Sequence, residues 1–133
     1  MTPHFLPRLA ATGFAGVLAA GFALVGAAPA QAATLTCNGY AATIVGTAGN
    51  DELNGTSGRD VIVALGGHDE IDGRGGNDVI CAGAGNDEVE GGSGNDWIDG
   101  GTGHDEIDGD SGNDTIRGGS GHDTLEGGTG NDT

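Results

Sequence analysis

The 133-residue chain contains no lysine and only four basic residues, Arg8, Arg59, Arg74 and Arg117, against twenty aspartates and glutamates. A chain without basic clusters has nothing with which to neutralise phosphates or an anionic lipid surface, so the composition argues against nucleic acid and anionic membrane as partners. Aromatic residues make up only 4 %, with a single tryptophan, Trp97. Catalytic signatures are missing too: neither H-E-x-x-H nor G-x-S-x-G occurs, and no Ser/His/Asp grouping stands outside positions that have another explanation. The expectation is a protein that is not an enzyme.

What the chain has instead is glycine, thirty residues of it, set in a strict period. From Gly46 to Glu126 the sequence repeats every nine residues, nine times without insertion or deletion, and a tenth, partial repeat follows to Thr133. A short strict period means that each repeat cannot bury its own apolar side chain and must stack on its neighbours, so the architecture is a solenoid. Position four is always glycine and position six always aspartate. Position eight is always aliphatic, from Leu53 and Ile62 through Val89 to Leu125, as a buried strand position prefers. Position five holds Asn, His or, once, Arg59. Asn and His tolerate positive φ, which predicts a left-handed residue there. Positions one to six then form a turn, and seven to nine a short strand with only position eight facing in.

A second period, of eighteen, runs through the outward positions. Glu52, Glu70, Glu88 and Glu106 occupy position seven in alternate repeats, while Val61, Val79, Trp97 and Thr115 occupy it in those between. Two repeats therefore make one coil, odd and even repeats lie on opposite sheets, and the fold class is all-β, a parallel β-roll solenoid of nonapeptide repeats.

The pattern G-G-x-G-x-D-x-U-x, with U a large aliphatic residue, resembles the repeat of the RTX, or hemolysin-type, calcium-binding proteins. GGSGNDWID at 91–99 and GGSGHDTLE at 118–126 are the best copies, and the match covers most of the chain beyond the leader. The resemblance implies glycine-rich turns on each edge of the roll that hold Ca²⁺ between successive coils with aspartate carboxylates and turn carbonyls. The implied ligands are Asp51, Asp69, Asp87, Asp105 and Asp123 on one edge and Asp60, Asp78, Asp96, Asp114 and Asp132 on the other. Five turns per edge leave four gaps, so up to about eight ions are expected. The early repeats depart from the pattern at positions one and two, as in ALGGHD at 64–69.

Elementary electrostatics points the same way. Carboxylates one strand spacing apart, about 4.8 Å, repel by roughly 3.5 kcal/mol at an effective dielectric near 20. A divalent cation between them reverses the sign, and calcium accepts oxygen ligands in forgiving geometry where magnesium does not. One buried aliphatic side chain per nine ordered residues is too little to fold the roll unaided. Metal binding is then expected to supply the folding free energy, in the calcium-rich medium outside a cell.

The N-terminus reads as a separate segment. Arg8 precedes an apolar run from Leu9 to Ala28, and two A-x-A patterns end at Ala30 and Ala32. Residues 1–32 are therefore expected to be a secretory signal peptide, giving an extracellular bacterial protein. Residues 33–45 read as an N-terminal cap containing a decayed repeat, with Ile44 in phase at position eight and Leu35 and Tyr40 available to cover the first coil. Residues 46–133 are the calcium-binding roll.

Cys37 and Cys81 are the only cysteines, and export favours pairing them. On a regular coil they would lie nearly 10 Å apart along the axis, beyond the usual Cα limit of about 7 Å. A bridge needs residues 33–42 to leave the roll and fold back along the even face. That face carries a patch of Val61, Val63, Val79, Cys81 and Trp97, which predicts a cover: either the segment 33–45 tethered through Cys37 and Cys81, or self-association through the Val61/Val79/Trp97 face. His68, His104 and His122 all stand at position five, where the turn explains them without a zinc site. The alternative function is a structural or adhesive surface module, or the repeat part of a larger secreted protein whose activity lies elsewhere.

Overall fold

The computed structural model describes residues 32–133; the leader expected at 1–32 lies essentially outside them. Thr34–Thr133 form one compact unit built only of strands among the described residues. A small antiparallel pair comes first, β1 (Thr36–Cys37) and β2 (Tyr40–Ala41). The rest is two parallel five-stranded sheets. One contains β3 (Ile44–Val45), β5 (Val61–Val63), β7 (Val79–Ala84), β9 (Trp97–Thr102) and β11 (Thr115–Arg117). The other contains β4 (Glu52–Asn54), β6 (Glu70–Asp72), β8 (Glu88–Glu90), β10 (Glu106–Asp108) and β12 (Thr124–Glu126).

Every pairing within these two sheets joins residues eighteen apart, for example Ile71↔Val89 and Ile80↔Ile98, as two nonapeptides per coil require. The position-eight side chains meet between the sheets: Ile62, Ile71, Ile80, Val89, Ile98 and Ile107 are all buried. Toward the ends Leu53 and Ile116 are partly buried, and Leu125 is 47 % exposed. Position one, read from the sequence as part of the turn, also faces inward. Ala64 and Ala82 stand there, fully buried in the same cluster. The strands are also not confined to positions seven to nine. β7 and β9 run on through position three of the next repeat, and isolated bridges such as Ser93↔Ser111 carry the ladder across the turns.

The hairpin of β1 and β2 leaves the roll and lies back over the even sheet. Cys37 is buried against Val61, Val63 and Val79, and it is joined to Cys81 with the Cα atoms 5.8 Å apart. The axial distance that opposed a bridge on a regular coil disappears because the segment 36–41 is not a coil. Ile44 then enters the even sheet opposite Ile62. Arg59, which breaks the Asn/His column, sits 4.1 Å from the Tyr40 ring centroid and pins the hairpin from the edge. The face suggested for self-association is therefore covered from within: Val61 and Val79 are 5 % and 4 % exposed, and Trp97 stands at the rim of that cluster with Ala42 and Cys81.

Candidate metal centre

The glycine-rich turns place the position-six aspartates in two stacks, one along each edge of the roll. In each stack the backbone N–H of one aspartate donates to Oδ1 of the aspartate one coil further on. Asp60 N–H bonds Asp78 Oδ1 at 2.7 Å, Asp78 N–H bonds Asp96 Oδ1 at 2.7 Å, and Asp69 N–H bonds Asp87 Oδ1 at 2.9 Å. The opposite oxygens are different. Oδ2 of Asp69, Asp78, Asp87, Asp96, Asp105 and Asp114 is buried without a hydrogen-bond partner. Asp123 and Asp132, in the last coil, also accept on Oδ1, from Asp105 and Asp114, but lie nearer solvent.

Six half-satisfied buried carboxylates are costly, and their acidities record it. Burial raises the Asp96 carboxyl to about 7; the charges of Asp78, Asp114 and Asp110 add to the effect, and the Asp78 N–H opposes it. Asp78 is raised to about 6 by the same cause. Asp69, Asp87, Asp105 and Asp114 are all raised, burial being the largest cause in each.

The donor set fits a hard divalent cation. A Cβ built at Gly73 would lie 2.6 Å from the Gly91 carbonyl oxygen and 3.0 Å from Asp78 Oδ2. At Gly109 the corresponding neighbours are the Gly127 oxygen at 2.9 Å and Asp114 Oδ2 at 2.7 Å. Beside Gly73, Gly91, Gly100 and Gly109 an orphaned carboxylate oxygen of one coil and a carbonyl of the next thus converge. Among the described residues no three His, Cys, Asp or Glu side chains gather as a metal cage. The oxygens would have to come largely from the backbone, which calcium accepts readily. When bound there, the ion supplies positive charge to the stacked carboxylates.

Position five overturns an expectation. None of its residues has positive φ; the left-handed residues are at positions two and four, such as Gly92 (φ 90°) and Gly94 (φ 128°). Position five is instead a hydrogen-bond ladder. Asn77 Oδ1 accepts the Asn95 N–H at 2.9 Å, and His68 Nδ1 accepts the Asn86 N–H at 2.9 Å. Asn and His interchange there because both carry an acceptor at the same distance from the backbone. His104 and His122 stack with ring centroids 5.3 Å apart, and His104 Nδ1 accepts the His122 N–H.

On the odd sheet Glu52, Glu70, Glu88 and Glu106 stand opposite one another in register, and the first three line a cleft of about 80 Å³ with Asp72 and Glu90. No carboxylate oxygen on that face is both buried and unpartnered.

No curated protein matches the chain. A family model, described as the RTX calcium-binding nonapeptide repeat (4 copies), matches it at residues 38–71, 45–80, 54–89, 72–107, 82–116 and 99–133. With overlapping copies running from 38 to 133, over a roll whose edges carry the stacked aspartates, the chain belongs to the RTX calcium-binding nonapeptide repeat family.

Proposed function

We propose that this calcium-binding repeat protein is exported, has no enzymatic activity of its own, and folds as it takes up calcium outside the cell. In this reading residues 1–32 are a leader removed on export, 33–45 a cap, and 46–133 the calcium-dependent roll. The position-six aspartates are the carboxylate ligands, completed by turn carbonyls. The observation that supports this most directly is the set of six buried, unpartnered Oδ2 atoms, of which those of Asp78, Asp96, Asp105 and Asp114 stand with a carbonyl of the following coil beside a position-one glycine. A fold that buries them without a cation is penalised by desolvation and mutual repulsion, and a cation removes both penalties.

Export fits the apolar leader and the Cys37–Cys81 pair, since disulfides persist in oxidising compartments. Extracellular modules bind calcium at about 10⁻⁴–10⁻³ M, so the roll would stay unfolded during synthesis and fold on release. Circular dichroism with and without calcium tests the reading. A β-type spectrum that appears only with calcium, and not with magnesium at the same concentration, is expected. An identical folded spectrum after exhaustive chelation would refute it.

A further inference from the structure

The turns of the roll are of two kinds, and the difference is confined to the first coil. In eight turns, from Leu65 with Gly67 to Gly128 with Gly130, the residues at positions two and four both take positive φ. In the two turns at 46–51 and 55–60 neither does. Thr47 and Thr56 occupy position two there, and threonine stands at that position in no other repeat.

Both threonines fold onto the aspartate of their own turn. The Thr47 N–H and hydroxyl donate to Asp51 Oδ2 at 2.6 and 2.9 Å; those of Thr56 donate to Asp60 Oδ2 at 2.7 and 2.9 Å. The same hydroxyls accept the N–H groups of Gly49 and Gly58 at 3.1 Å, which closes each turn on itself. Asp60 is only 5 % exposed, yet it has no orphaned oxygen. Its Oδ2 accepts two hydrogen bonds, from the Thr56 N–H and hydroxyl, and these compete with a cation for that oxygen. The orphaned oxygens begin one coil later, three on each edge.

We propose that the roll takes six calcium ions, three along each edge, all in gaps between turns of the second kind, and that the first coil is a metal-free cap with Thr47 and Thr56 as its stop residues. This rests on the reading of the aspartates as calcium ligands. It lowers the number of sites below the eight that five turns per edge allow, and it gives the first two departures from the glycine pattern a purpose. A solenoid must end somewhere, and a coil whose carboxylates are satisfied by its own hydroxyls ends it without leaving a half-built site.

The test counts ions at saturation by native mass spectrometry and by isothermal titration. It uses the full chain produced through an export pathway, with the disulfide intact. Six ions are expected, and six again for the double variant Asp51→Asn/Asp60→Asn, because asparagine still accepts from the threonine N–H. The double variant Thr47→Gly/Thr56→Gly removes the hydroxyl donors and the side chains that resist positive φ, so the turns can adopt the second form, in which the position-two N–H no longer holds the carboxylate; seven or eight ions are expected. Eight ions in the unaltered chain, or ions lost from Asp51→Asn/Asp60→Asn, overturn the inference while leaving calcium binding intact. A folded glycine variant that still takes six ions also overturns the role given to the threonines. If the glycine variant does not fold, the asparagine variant alone decides. A chain that takes no calcium at all would instead remove the reading on which the inference rests.

Discussion

Asp96 accepts the backbone N–H of Asp78 on one carboxylate oxygen at 2.7 Å and holds its other oxygen buried with no partner. That division makes the edge of the roll sensitive to pH. In the unfolded chain an aspartate titrates near 4, whereas burial raises Asp96 to about 7 and Asp78 to about 6. The metal-free roll thus favours the neutral acids. Their contribution to its stability is fully present below about pH 4 and is lost as pH rises through about 6 to 7. Calcium needs the ionised form, so protons compete with it across the same window. That competition concerns only the folded roll: the unfolded aspartates stay ionised down to about pH 4, so folding with calcium involves no net proton exchange above that, and protonation helps the metal-free roll. The calcium concentration at half-folding is therefore expected not to rise as pH is lowered from 8 to 5; titrations followed by circular dichroism at fixed pH measure this, and a midpoint that climbs steadily on acidification would contradict it.

Asp96→Asn separates the two roles of that side chain. The amide oxygen still accepts the Asp78 N–H, but the charge is gone. Calcium affinity is expected to fall by about ten-fold, roughly 1.4 kcal/mol, and the calcium-free chain is expected to be no less structured than the original. Calorimetric titration reads the first effect and far-ultraviolet dichroism the second. A variant with unaltered affinity would show that Asp96 ligates nothing.

The coil, its period and both sheets were legible in the sequence because position eight is aliphatic in every repeat while position seven alternates between two surfaces, with no insertion to blur either. Ile71 and Ile80 lie on facing sheets for the same reason that Glu70 and Val79 differ in exposure. The backbone of the turn was not legible. Asn, His and glycine all tolerate positive φ, and only the geometry assigns it to Gly92 and Gly94 and not to Asn95. The inward role of Ala64 and Ala82 was hidden because glycine fills that position in the other repeats. The hairpin over Val61 and Val79 was deduced only as a requirement of a Cys37–Cys81 bridge, although a local signal was present: Asn38-Gly39, at φ 49° and 86°, is the two-residue Asn-Gly turn of a tight hairpin.

Position two offers opposite outcomes from substitutions at equivalent sites. Leu65 adopts φ 82° while 39 % exposed, a conformation that glycine takes without strain. Leu65→Gly is expected to stabilise the calcium-loaded protein by about 1 kcal/mol. Gly101→Ala, in the same column, would drive a Cβ into the Gly83 carbonyl oxygen and should destabilise it by more than that. Denaturant midpoints at saturating calcium compare the two, and a loss of stability for Leu65→Gly would count against the strain argument.

The Asn/His ladder predicts interchangeability of a particular kind. His68→Asn keeps an acceptor for the Asn86 N–H and should be nearly neutral, whereas His68→Ala leaves that N–H without its partner and should cost about 1 kcal/mol. The bond also requires the neutral tautomer with the proton on Nε2. Nitrogen NMR of His68 and His104 in the folded protein is expected to show that tautomer in both. A proton found on Nδ1 of either ring would rule out the ladder at that coil.

The link between Cys37 and Cys81 closes a loop of 44 residues and holds the hairpin over Val61, Val63 and Val79. Removing it acts at both ends of the folding equilibrium: the unfolded chain gains freedom, and the folded chain loses the tether that keeps an apolar patch covered. Cys37→Ser/Cys81→Ser is expected to lose about 2–4 kcal/mol at saturating calcium. Trp97, at the rim of that patch, should then report the loosened cover by a shift of its emission toward longer wavelength. Because the hairpin also keeps the Arg59–Tyr40 contact and the bond from Ala42 N–H to the Leu35 oxygen, the roll itself should still fold with calcium in the variant. The same loss should follow reduction of the unaltered protein. A reduced protein with unchanged stability and unchanged Trp97 emission would mean that packing against the even sheet, and not the covalent link, holds the hairpin in place.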